Sequence, residues 1–148
     1  KEIENVSYFK IEVPFAADKL AALIEAGGEH IAGPFDGEEA VTLLADLDAG
    51  CTGTMTSAMF PDKIKPIVTR HLAGDLDGAF AQWRLCLPLI NHENRQCGLR
   101  AAKTVMMEGG VIRSDHVRHP LKPMSSRTRS RLLDLARELD VLALSWGK

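Results

Sequence analysis

The chain has 148 residues, 45% of them hydrophobic and 26% charged, which is ordinary globular material for about one domain. A net charge of -2 gives no reason to expect a nucleic acid or an anionic membrane as partner, and no run approaches the roughly 20 apolar residues that span a bilayer. The opening Lys1-Glu2-Ile3-Glu4 is no signal sequence, and Cys51, Cys86 and Cys97 lack a CxxC spacing, so a cytoplasmic protein with reduced thiols is expected.

Val6 to Val13 reads as a strand of β-branched and aromatic residues ending at Pro14. Ala16 to Ala26 follows as a helix, stopped by Gly27-Gly28. Ile31-Ala32 is a second, very short strand that opens into the turn Gly33-Pro34-Phe35-Asp36-Gly37. Helix is expected again over Glu38 to Asp48, which would put Asp36, Glu38 and Glu39 around a helix first turn. Thr52 to Thr56 is a third strand, and Pro61 to Leu72 a helix with Ile64, Ile67, Val68 and Leu72 on one face.

Three strand–helix alternations over about 70 residues predict a parallel sheet. Beyond them the pattern is helical only. Leu76 to Ile90 is a helix that Pro88 should kink or end, Gln96 to Glu108 stops at Gly109-Gly110, and Ser125 caps a last helix carrying Leu132, Leu135 and Leu139. The basic stretch holding Arg113, Arg118, Lys122, Arg127, Arg129 and Arg131 reads as a solvated or subunit-facing surface, with anion binding as the alternative. Residues 1–75 are thus expected to form βα units and 76–148 a C-terminal helical extension. Three strands with open edges imply a further, N-terminal half carrying the remaining strands.

Side chains alternate along a strand, so Ser7, Phe9, Ile11 and Val13 share one face while Val6, Tyr8, Lys10 and Glu12 share the other. The second set puts a lysine and a glutamate near the C-terminal end of a parallel strand, where barrel enzymes keep catalytic groups. Burial there would disfavour the ammonium form and leave an amine able to attack a ketone. Spacing alone leaves a second reading open, in which Lys10 and Glu12 are structural ion-pairing residues. Gly33 either admits a substrate to the backbone or belongs to a plain βα turn. The hydroxyls of Thr52 to Ser57 either hold a substrate or suit a close-packed strand. Asn91-His92-Glu93-Asn94-Arg95 lacks metal-ligand spacing and reads as helix-end capping.

Taken in order, Phe9-Lys10-Ile11-Glu12, Gly33-Pro34-Phe35-Asp36-Gly37, Gly53-Thr54-Met55-Thr56 and the trailing helices resemble the second half of the dihydrodipicolinate synthase / N-acetylneuraminate lyase family. The resemblance implies the C-terminal half of a (β/α)8 TIM barrel with a helical extension, assembled as a homo-oligomer, often a tetramer. It aligns the Schiff-base lysine with Lys10, a substrate-facing glycine with Gly33, and a backbone contact with Met55 and Thr56. The Lys-Ile-Glu spacing, Leu87 to Gln96 and Glu108 to Ile112 are most similar to the branch that dehydrates 2-keto-3-deoxy sugar acids in pentose (arabinose) degradation. The implied reaction turns 2-keto-3-deoxy-L-arabonate into 2-oxoglutarate semialdehyde, without metal or organic cofactor and with Glu12 handling a proton or orienting a substrate hydroxyl. A pyruvate-dependent aldolase and a non-catalytic half-barrel are the competing expectations.

Overall fold

The computed structural model describes residues 3–148. Three parallel strands lie in the order β1-β2-β3: β1 is Tyr8–Ile11, β2 Gly33–Asp36 and β3 Gly53–Thr54. Helix α1 (Ala16–Gly27) links the first two and α2 (Leu43–Asp48) the next two. Then come α3 (Pro61–Leu72), α4 (Leu76–His92), α5 (Arg100–Glu108) and α6 (Ser126–Glu138). No helix among the described residues is long and apolar enough to cross a membrane.

Several boundaries differ from the sequence pattern. β1 is shorter than Val6 to Val13, and Glu12 falls just beyond its last residue. The second strand is not Ile31-Ala32 but the segment expected to be a turn. Pro34 hid it, because proline cannot donate to a ladder and β2 is the central strand. The missing donor costs little: Pro34 faces β3, and its position precedes the first β2–β3 pair, Phe35↔Gly53. Its carbonyl still accepts from Thr52 N at 2.9 Å.

Helix α2 starts at Leu43, five residues later than the pattern suggests. Asp36 is the reason. Its side chain accepts from Glu38 N at 2.9 Å and Ala40 N at 3.1 Å, taking amides into a loop. Glu39 and Ala40 then sit at φ 55° and 66°, left-handed values no right-handed helix contains. Glu38 and Glu39 are therefore loop residues, not a helix first turn. At the far end of the chain, α4 runs on past Pro88, which is exposed, and gives way at Glu93–Cys97 to a π-turn. Ser125 caps α6 as anticipated, its hydroxyl accepting from Thr128 N at 3.1 Å.

The chain divides into two compact units. The first runs to Thr56 and adds Pro66–Trp83; its buried residues include Leu20, Leu43, Leu47 and Ile67. Within it Trp83 Nε1 donates to Ala40 O at 3.0 Å, and His71 pairs with Asp48 at 2.8 Å. The second unit is Ser57–Lys65 with Arg84–Lys148, and buries Phe60, Leu89, Ile90, Val105 and Leu132. All three cysteines are buried and free.

Candidate active site

The parallel strands bring their C-terminal ends to one side of the first unit. Lys10 stands on β1 one residue before its end, in register with Phe35, and its Nζ lies 3.0 Å from Glu12 Oε2. Along β1 the alternation is seen: Tyr8 and Lys10, with Glu12 after them, are exposed and Ser7, Phe9 and Ile11 are half-buried, whereas Val13, placed on the face of Ser7, lies beyond the strand and is exposed. Lys10 itself is not buried. Its side chain is 35% exposed and satisfied by the carboxylate. Below it Tyr8 stacks on Phe35, ring centres 6.1 Å apart and planes 8° from parallel.

Gly33 and Gly37 separate clearly here. Gly33 pairs with Tyr8, and a Cβ on it would meet the Tyr8 ring at 2.5 Å, so it lies beneath the aromatic stack. The glycine beside the lysine is Gly37. A Cβ there would stand 2.8 Å from Lys10 Cγ, 2.8 Å from Ile11 O and 2.9 Å from Glu12 Cβ. Gly37 N also donates to Ile11 O at 2.8 Å. Sequence reasoning passed over Gly37 because it was counted as the end of a turn rather than the residue following a strand.

Asp36 organises what surrounds this point. It is fully buried and accepts, besides the two loop amides, the Thr54 hydroxyl at 2.5 Å. The loop it holds carries Glu39, whose carboxyl is pushed up from the ordinary glutamate value. Burial is the main cause; the Lys10 ammonium opposes it, while the Glu12 and Asp36 carboxylates add to it. Glu39 thus shares one electrostatic neighbourhood with Lys10 and Glu12, and the sequence reading, which set it in a helix, missed it. Thr56 is half-buried, and its Oγ1 is near enough to Glu39 to lower that carboxyl slightly without a hydrogen bond of ordinary geometry. Met55 follows β3, half its side chain exposed, with its amide donating to Asp36 O at 2.9 Å.

A second buried carboxylate, Asp46, lies behind Asp36. Burial and the Asp36 charge push it up to about 6, and the Thr42 hydroxyl, donating at 2.8 Å, works the other way. Cys51, next to both, is pushed up to about 11 by burial. The polar run after Pro88 is engaged by backbone: Asn91 and Asn94 donate to Leu87 O and Ile90 O, and His92 Nε2 meets Thr128 O at 3.2 Å. No group of three or more His, Cys, Asp or Glu side chains among the described residues could hold a metal ion.

Residues 12–139 match the sequence profile of the Dihydrodipicolinate synthetase family. The chain is 56% identical over 147 residues to L-2-keto-3-deoxyarabonate dehydratase of Azospirillum brasilense, covering 99% of this chain and 48% of that protein. Among solved structures it is similar to dihydrodipicolinate synthase from Rhodopseudomonas palustris, with a TM-score of 0.77 at 25% identity over 88% of this chain and 44% of that one. The synthase from Aquifex aeolicus gives a TM-score of 0.83 at 21% identity over 95% and 47%. The chain spans about half the length of the relatives it matches. Three βα units followed by helices alone are the C-terminal half of a (β/α)8 barrel and its extension, the fold class that the family resemblance implied.

Proposed function

The chain belongs to the dihydrodipicolinate synthetase family, and on that premise we propose that Lys10 forms a Schiff base with a 2-keto acid and that the protein dehydrates a 2-keto-3-deoxy sugar acid. The observation that carries this reading is the Lys10–Glu12 pair at 3.0 Å, with Gly37 offering no side chain to block it. Lys10 Nζ gives its proton to Glu12, adds to the C2 ketone and expels water as the imine forms. The iminium acidifies C3, a carboxylate takes that proton, and the C4 hydroxyl leaves as water. Tautomerisation then turns the C5 alcohol end into an aldehyde, and hydrolysis frees the lysine. From 2-keto-3-deoxy-L-arabonate the product is 2-oxoglutarate semialdehyde. The 56% identity to a dehydratase of that substrate supports this choice.

Glu12 Oε2 lies 3.0 Å from Lys10 Nζ, so a substrate whose C2 is bonded to that nitrogen would present its C3 protons or its C4 hydroxyl within reach of the carboxylate. Glu39 holds its proton above the ordinary glutamate range and is the second candidate for that transfer. Gly33, Met55 and Thr56 are proposed as floor and wall of the substrate channel, Gly33 by making room for the Tyr8 ring. Homo-oligomeric assembly belongs to the same proposal, as does closure of the barrel by a second half.

Borohydride trapping tests it directly. The complete protein, given pyruvate or a 2-keto-3-deoxy acid and then sodium borohydride, should gain one covalent adduct on the peptide containing Lys10, and Lys10→Ala should gain none. An unlabelled Lys10 peptide overturns the Schiff base.

A further inference from the structure

A cavity of about 290 Å³ lies wholly within the second unit, between α5, the segment 111–124 and the start of α6. It has two cationic walls, one acidic corner and an apolar floor. Arg100 is anchored by three carbonyls: Nε to Cys97 O at 2.8 Å, Nη1 to Lys122 O at 2.9 Å and Nη2 to Gln96 O at 3.4 Å. A guanidinium has five N–H donors, so two remain on a side chain that cannot move away. Arg129, opposite, meets Glu108 at 3.4 Å and Asp115 at only 4.0 Å. Glu108 is shared with Arg137 at 2.9 Å, and Arg129 spends one of its five N–H donors on it, which keeps the other donors for a ligand. Arg113, Arg118 and Lys122 on the same segment add to the positive potential.

The acidic corner narrows the choice of occupant. Asp115 Oδ2 accepts from Thr104 Oγ1 at 3.2 Å, so one oxygen is engaged and the other remains an acceptor. Ser114 Oγ accepts from His116 N at 3.1 Å and keeps its own proton to donate. Pro123 and Met124 supply carbon surface. A bare phosphate has no carbon chain to lay on the apolar floor, and its higher charge is opposed by Asp115 more strongly than that of a single carboxylate. A cation would meet two arginines. We propose that this cavity binds a small hydroxylated carboxylate, its carboxylate on Arg129 and Arg100, a hydroxyl on Asp115 and its carbon chain over Met124. This is a site apart from Lys10, and it does not depend on the reaction proposed above.

Hydrogen–deuterium exchange of the complete protein with D-gluconate locates such binding without reference to activity. Gluconate should slow exchange in peptides covering residues 100–104 and 114–124, with inorganic phosphate at equal concentration having no effect. Arg129→Gln should weaken that protection about tenfold or more on a gluconate titration, since a charge-assisted pair is lost. Ser114→Trp, which adds a large side chain to the lining and leaves Arg129, Glu108 and Asp115 unchanged, should abolish it. Absence of protection in these peptides, protection surviving both substitutions, or equal protection by phosphate overturns the proposal.

Discussion

Thr54 Oγ1 donates a 2.5 Å hydrogen bond to Asp36 Oδ2, tying the C-terminal end of β3 to that of β2. Because Asp36 also holds Glu38 N and Ala40 N, the bond stands between the sheet and the loop that carries Glu39. Thr54→Val keeps the shape and removes the donor, leaving a fully buried carboxylate one partner short. The expected cost is about 1–3 kcal/mol in stability, measured by chemical denaturation of the complete protein. An unchanged midpoint would show that the carboxylate finds another donor.

Asp46 predicts how stability depends on pH. Its value in the folded chain, about 6, lies above that of an unfolded aspartate, so the native state holds a proton that the unfolded state has released. This group's contribution is whole below about pH 4 and fades as pH rises through about 6. Asp46→Asn keeps an oxygen for the Thr42 hydroxyl and carries no charge. It should melt higher than the parent at pH 8, with the advantage shrinking toward pH 4. A parent that melts higher at pH 8 would mean that the ionised carboxylate is well paired.

Gly37 and Gly33 should differ in what they disturb. In Gly37→Ala the new methyl meets Ile11 O, which is backbone, and Lys10 Cγ, so Lys10 must shift. Turnover is expected to fall at least about tenfold, since small displacements of a reacting group are costly. Gly33→Ala presses on the Tyr8 and Phe35 rings, and none of the atoms it meets belongs to Lys10. A milder loss is expected there. Steady-state kinetics of the two variants against the parent decide it, and equal losses would remove the distinction between the two glycines.

Glu12→Gln should reduce turnover by about 10² if Glu12 moves a proton, with 2-oxoglutarate semialdehyde remaining the product. Pyruvate and glycolaldehyde as main products of the parent would instead indicate aldol cleavage. Glu39→Gln separates the two carboxylates. Since Glu39 is raised, an acid limb in kcat that it controls lies above the ordinary glutamate range, and the substitution removes or displaces that limb. A profile identical to the parent's assigns the limb elsewhere.

Alternation along a strand depends on nothing beyond local geometry, and so Lys10 and Glu12 could be paired from the sequence and are paired in the structure. The amphipathic helices were legible for a similar reason, as was the Ser125 cap. Glu39 was not. Its position depends on two left-handed residues, Glu39 and Ala40, neither of which is a glycine or asparagine that would signal such a turn. What bends the chain is Asp36, a contact invisible in a helical pattern of charges and leucines. β2 was hidden by Pro34, and with its limits shifted, Gly37, which follows the strand and packs against Lys10 Cγ, had no signal of its own.

Tyr8 is the only tyrosine in these 148 residues, and it lies on the open sheet face one pleat from Lys10, stacked on Phe35. Incorporated as 3-fluorotyrosine, this chain yields a single fluorine resonance. The stack thereby becomes a reporter on the strand that carries Lys10: the resonance would shift when an adduct grows on the lysine, so that the chemistry could be followed at one atom.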